Sequence, residues 1–293
     1  MNSSFISKRR VHYIGGFDPR GIRFYHQLYA REAAKQTIHN RLHFEVGSRS
    51  RLNHYFGSWS VKGTSSQGVV NTDYHFLGWD DIVRRQWATS IPRLVAGSLP
   101  AYMDYLRSDG FGKVRQRSNG AFLTGTLPLL YLTLLSLGSA ALFAGTQHWI
   151  GASTDSGLAG CAAGIAAAAT LWFSGIKQAG NLGLLWLLRT YVFIHRWSTG
   201  RQPELELRMD AMAEHILECH RQDPTQETLV IGHSVGTLLA VCVAARLLEK
   251  AAASPSGEDF SGIHILTLGQ CLPLLSLMPG ADTFRSHLCA LGT

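Results

Sequence analysis

Two long stretches without a formal charge constrain this chain more than any other feature. Asp, Glu, Lys and Arg are all absent from Ser118 to Thr154, and again from Ser156 to Ile176. Within them, Ala121–Gly145 and Gly157–Ile176 are each long enough to cross a hydrocarbon layer of about 30 Å as a helix. The whole chain is only 16% charged and 46% hydrophobic, and the missing charge is concentrated here. The expectation is a two-span transmembrane hairpin with Thr146 to Asp155 as its connection. Lys113, Arg115 and Arg117 precede the first span. Lys177, Arg189, Arg196 and Arg201 follow the second, while the connection carries one Asp and no Lys or Arg. The positive-inside rule then puts both outer ends in the cytoplasm. Met1 to Arg10 is polar and basic and has no apolar segment of a signal peptide, which agrees with that orientation. Leu182 to Trp197 is apolar but interrupted by Arg189, His195 and Arg196, and reads as a helix lying along the membrane surface.

On either side of the hairpin the pattern alternates between strand and helix. Val11–Phe17 is a strand and Ile22–Gln36 a helix. Leu42–Val46, His54–Val61 and Val69–Leu77 are strands, followed by helices at Asp80–Trp87 and Pro92–Leu106. Beyond the membrane segment come an amphipathic helix at Pro203–Arg221, a strand at Thr228–Ile231, a helix from Leu238 to Lys250 and a strand at Ile263–Leu268. Alternation of this kind predicts an α/β fold, a mainly parallel sheet covered by helices, interrupted by the hairpin. The division expected is 1–117 and 201–293 as two parts of one sheet domain, with 118–200 as the membrane segment. An even number of crossings between Val11 and Thr228 is needed for their strands to share a sheet.

Gly232-His233-Ser234-Val235-Gly236 lies between the strand at Thr228–Ile231 and the helix that follows. Strand, sharp Gly-x-Ser-x-Gly turn and helix is the layout that lifts a serine Oγ out of the backbone. The glycines let strand and helix approach closely, and the helix N-terminus offers amide donors where an oxyanion forms. The bland alternative is a serine N-cap on an ordinary turn. A second segment, Val11 to Gly21, is an apolar strand ending in Gly15-Gly16-Phe17 ahead of a helix. On these two segments the chain resembles the α/β-hydrolase superfamily, in its lipase/esterase-like branch. The resemblance implies Ser234 as nucleophile, with the Val235 amide and that of Gly16 or Phe17 as oxyanion hole.

The family order of nucleophile, acid and base implies an Asp or Glu and then a His after Ser234. Glu249 lies on the helix following the nucleophile, Glu258 and Asp259 lie in a loop at the wrong end of the next strand, and His264 is inside that strand. Asp282 and His287 are left as acid and base, in a tail of 25 residues after Leu268 where the family has two further strand-helix units. A base from elsewhere, such as His12, His54 or His75, or from a partner chain, is the alternative. His233 is expected to pack beside the turn.

The other chemistries are weaker. Five cysteines (Cys161, Cys219, Cys242, Cys271, Cys289) show neither metal-ligand spacing nor a disulfide framework. The histidines look scattered and suggest no metal site, and no cofactor is expected. The Gly15-Gly16 loop lacks the spacing of a nucleotide-phosphate loop. Residues 1–120 have a surplus of ten positive charges, within a chain of net +7. Beside a hairpin this suggests anionic headgroups, and without a nucleic-acid motif no nucleic-acid partner is expected.

The sequence thus points to a membrane-anchored serine hydrolase acting on acyl esters, lipids among them, held against the bilayer where such substrates partition. The alternative is a catalytically silent hydrolase-like scaffold or accessory subunit. Gly157, Gly160, Gly164 and Ala168 form a small-residue face that suits either self-association or docking on a membrane protein.

Overall fold

The computed structural model describes residues 5–40, 42–87, 89–253 and 262–292. In chain order the elements are β1 (Lys8–Ile14), α1 (Ile22–Asn40), β2 (His43–Val46), β3 (Ser50–Arg51), β4 (Phe56–Ser65), β5 (Gly68–Leu77) and α2 (Asp80–Trp87). The helices α3 (Ile91–Arg107), α4 (Gly110–Arg117), α5 (Asn119–Thr154), α6 (Gly157–Asn181), α7 (Leu184–Ser198) and α8 (Pro203–Gln222) follow. The chain closes with β6 (Glu227–His233), α9 (Gly236–Ala252), β7 (Ile263–Leu268), α10 (Leu272–Ser276) and α11 (Asp282–Ala290). Two compact units result. One joins Met1–Thr89 to Arg196–Thr293, and the other is Ser90–His195.

The first unit is built on a mixed seven-stranded sheet of order β2-β4-β5-β1-β6-β7, with β3 on β4. Its core is parallel: β1 pairs with β5 and β6, and β6 with β7. The hairpin of β4 and β5 adds antiparallel pairing on one side, and β2 extends it. Gly68, at φ +139°, supplies the tight reversal between β4 and β5. Side chains alternate across the sheet. Val11, Trp59, Val61, Tyr74 and Phe76 form a core packed by Tyr13, Tyr25 and Tyr29, so α1 covers that face. Trp59 stacks on Tyr74 with ring centroids 4.5 Å apart. His12 and His75 take the opposite face, beneath α8. That helix buries Leu205, Met209, Met212, Ala213, Ile216 and Leu217, one stripe at helical spacing.

The compact unit Ser90–His195 includes α3 and α4 together with the hairpin. The C-terminal tail is helical, as α10 and α11. The loop carrying Glu258 and Asp259 lies outside the described residues.

In the second unit, α5 and α6 form the hairpin. Both are long and apolar enough to cross a membrane, and most of their apolar windows face outward, with 11% and 22% buried. Helix α5 runs through Thr154, so the segment expected as a connection is helical. The reversal is confined to Asp155, at φ +50°, and Ser156, whose hydroxyl caps α6 at the Ala159 amide. Close packing explains two of the small residues. A Cβ at Gly160 would meet the Gln147 carbonyl oxygen at 2.5 Å, and one at Gly164 would meet that of Phe143 at 2.9 Å. Those glycines are used inside the hairpin.

The reading of Leu182–Trp197 as a surface helix is corrected. Leu188 and Val192 of α7 are buried with Leu94 and Tyr102 of α3, and Leu129 and Leu132 of α5 pack against them. Leu184 and Leu185 pack with Ile176 and Ala179 of α6. That apolar surface meets protein.

Candidate functional site

Strand β1 is the pivot of the parallel core, since β5 lies on one side of it and β6 on the other. In open α/β sheets the crevice at the carboxyl ends of the strands, at such a switch in strand order, is where ligands bind. The loop Gly15-Gly16-Phe17 leaves β1 there, and Ser234 leaves β6 beside it.

Ser234 has φ +54°, a left-handed conformation that costs a residue with a Cβ about 1–2 kcal/mol. The turn is held from three directions. The Ser234 amide donates to the Leu268 carbonyl at the end of β7, 2.8 Å away. Its carbonyl accepts from the Thr237 amide at 3.0 Å and from the Thr237 hydroxyl at 2.6 Å. The flanking glycines are sterically required. A Cβ at Gly232 would lie 2.7 Å from the Thr237 Cα, and one at Gly236 would lie 2.5 Å from the Gly15 oxygen. The outcome is the strand-turn-helix geometry expected of Gly232, His233, Ser234, Val235 and Gly236.

The second loop is equally fixed. A Cβ at Gly16 would sit 3.2 Å from Ser234 Cβ, so the two loops touch. The buried Trp79 indole N–H donates to the Gly15 carbonyl at 2.8 Å. The Phe17 ring is buried against Trp79 and Trp87. The Asp18 amide donates to the Gly16 carbonyl at 2.8 Å, and the Asp18 carboxylate is held by Arg20 and Tyr25. The amides of Gly16 and Val235 have no acceptor among the described residues.

The structure does not bring Asp282 and His287 to Ser234. Asp282 pairs with Arg285 at 2.6 Å, and Arg285 also donates to the Ser276 and Met278 carbonyls. His287, on α11, lines a cleft of about 330 Å³ with Glu206, Cys242 and Leu275. Burial first, and then the nearby Arg246, hold its pKa below the ordinary histidine value. Arg246 lies ten residues along α9 from Gly236, about 15 Å of helix. The buried Nδ1 of His287 has no partner among the described residues. His54 is on the surface beside Arg51, and His233 is exposed. Among the described residues, no histidine nitrogen hydrogen-bonds to Ser234 Oγ.

A second cluster corrects the reading of the histidines as scattered. His12, His75 and His215 place ring nitrogens within 4.8 Å of one another. His75 Nδ1 lies 2.9 Å from His215 Nε2, and His75 Nε2 lies 2.9 Å from Asp73 Oδ2. Cys219 Sγ is 3.6 Å from His215 Nε2 and 3.8 Å from His75 Nδ1. Arg10 braces the group, donating to Asp73, to the Cys219 and Asp223 carbonyls and to the Asp223 carboxylate. Burial, and then the charges of His75 and Arg10, lower the His215 pKa to about 4. Burial and the same kind of neighbours hold His12 well below its ordinary value. The pairing of His12 with His75 is a register fact of β1 and β5. Only the i,i+4 spacing of His215 and Cys219 could have been noticed beforehand.

No protein-family model matches this chain, and no curated protein and no solved structure does either.

Proposed function

We propose that this chain is a membrane-anchored serine hydrolase acting on acyl esters, with Ser234 as nucleophile. The observation that carries the reading is the left-handed backbone at Ser234, at the carboxyl end of β6 and beside the Gly15-Gly16 loop. A serine kept where glycine would be unstrained is a cost that the surrounding bonds sustain, and such strain concentrates at functional sites. In this reading Oγ attacks the ester carbonyl. The Val235 and Gly16 (or Phe17) amides stabilise the oxyanion from the start of α9 and the end of β1. The hairpin of α5 and α6 links the sheet unit to a bilayer with both outer ends on the cytoplasmic side. Lipids or other long-chain esters partition there, and they are the substrate class we infer.

A second reading is favoured by one specific observation: among the described residues, no histidine accepts a hydrogen bond from Ser234 Oγ. Without an acceptor for its proton the hydroxyl is a poor nucleophile. The chain is then a silent hydrolase-like scaffold or accessory subunit of a membrane complex. Fluorophosphonate labelling of the detergent-solubilised protein, beside Ser234→Ala, separates the two. Labelling lost in the variant supports the hydrolase. No labelling of either protein, or labelling that survives Ser234→Ala, removes Ser234 as an activated nucleophile.

A further inference from the structure

Beneath α8, on the sheet face opposite α1, four soft or borderline ligands converge from three elements. His12 comes from the middle of β1, His75 from the paired position of β5, and His215 and Cys219 from one face of α8. In a tetrahedral zinc site two nitrogens lie about 3.3 Å apart, and a nitrogen and a sulfur about 3.6 Å apart. The sulfur edges here are 3.6 and 3.8 Å. The His75–His215 edge is 2.9 Å, shorter by a few tenths of an ångström. His12 is fully buried, and neither of its ring nitrogens has a hydrogen-bond partner among the described residues. A neutral imidazole carries one N–H and one lone pair. Leaving both unused in the interior is unfavourable, and a metal would use the lone pair.

The surroundings carry a second signature. His75 donates Nε2–H to Asp73 at 2.9 Å, which fixes the tautomer that leaves the Nδ1 lone pair facing His215 and Cys219. Metal-bound histidines are oriented by carboxylates in this way. Arg10, itself buried, locks Asp73 and the last turn of α8 in place.

We propose that His12, His75, His215 and Cys219 bind a divalent transition metal of the zinc class, as a closed four-coordinate site pinning α8 to β1 and β5. On binding, Cys219 releases its thiol proton and the three imidazoles coordinate through lone pairs. The thiolate, Asp73 and Asp223 offset the charges of the metal and Arg10. With all four positions taken by protein and His12 wholly inside, the site holds structure together and leaves no open position for a substrate. The proposal does not depend on Ser234.

The test uses the full-length protein in detergent, freed of metal with a chelator and titrated with Co²⁺. One equivalent is expected to give the strong visible bands of four-coordinate cobalt and a near-ultraviolet thiolate-to-cobalt band, both displaced by Zn²⁺. Cys219→Ser is expected to lose the thiolate band while keeping the fold. Asp73→Asn is expected to weaken Zn²⁺ binding by about 10–100-fold. Because His12→Ala could fail to fold, Cys219→Ser and His215→Asn carry the test. Overturning results are a natively folded protein that shows no four-coordinate cobalt spectrum, or spectra unchanged by both variants, which would put the metal on other residues. A Ser234→Ala background keeps this outcome separate from that of the labelling.

Discussion

Gly236 lies against the backbone of Gly15: a Cβ at position 236 would stand 2.5 Å from the Gly15 oxygen. The contact joins the first turn of α9 to the end of β1, so neither backbone can retreat without dragging the sheet. Gly236→Ala is expected to destabilise the protein by about 3 kcal/mol. Gly262→Ala, whose nearest atom would be 3.8 Å away, is expected to stay within about 0.5 kcal/mol of the wild type. Thermal unfolding of both solubilised variants checks this. Equal midpoints would mean that the two loops are not in contact.

Ser234 makes the opposite prediction. Its φ of +54° is strained for serine and free for glycine. Ser234→Gly is expected to raise stability by about 1 kcal/mol, because the left-handed penalty disappears. Ser234→Ala keeps the Cβ and is expected to show no comparable gain. A stabilised glycine variant that no longer takes up a fluorophosphonate would show stability spent on a reactive serine. No gain in the glycine variant would mean that the turn is unstrained in solution.

The parallel core and the turn at Ser234 were legible because both depend on local rules. Thr228–Ile231 is an apolar β-prone run, and the Gly-x-Ser-x-Gly turn fixes its own geometry. Ile263–Leu268 forms a strand at the positions expected. Four things were not legible. Thr146 to Thr154 contains Gln147, His148 and Gly151 and reads as a connection, yet it extends α5 because nothing in it stops a helix. Helix α7 has a membrane-surface composition, and only tertiary packing against Leu94 and Tyr102 shows that protein covers it. The family resemblance suggested Asp282 and His287 by chain order, whereas α11 packs along α9 and places His287 in a cleft with Cys242 instead of beside Ser234. The histidine cluster was hidden because His12 and His75 are 63 residues apart and meet only through strand register.

Cys271 follows Gln270 at the exit of β7. Burial pushes its thiol up to about 11, against a smaller opposing effect of Thr237. A thiol whose folded pKa is raised adds stability below its unfolded value of 9.0, and that stability is lost as pH climbs toward the folded one. Between about pH 9 and 11 the protein should therefore lose stability, and Cys271→Ala should flatten that alkaline loss. Alkylation gives an independent check. At pH 8 Cys289, which is exposed, should be modified first, with Cys242 and Cys271 protected in the folded protein. Peptide mapping that finds Cys271 modified as fast as Cys289 would contradict the burial.

Arg208 is the last test, because it ties α8 to the end of β5 and the start of α2. It is 7% exposed, donates to the Gly78 carbonyl at 2.7 Å, and grips Asp81 with two bonds of 2.8 and 3.0 Å. Its guanidinium carbon lies 3.4 Å from the centre of the Tyr55 ring. Arg208→Met keeps most of the volume and removes every donor. The Gly78 carbonyl is then left without that bond, and Asp81 keeps the Ile82 amide and Arg85, at 3.5 Å. A buried pair broken from one side costs about 3–5 kcal/mol, and the partial exposure of Asp81 puts the expected loss near the lower figure. Asp81→Asn alone should cost less, because the amide oxygen still accepts one bond. In the double variant the coupling should reach about 1–3 kcal/mol, measured by denaturant unfolding of all four proteins. Additive losses would show that Arg208 acts through Tyr55 and packing instead of through Asp81.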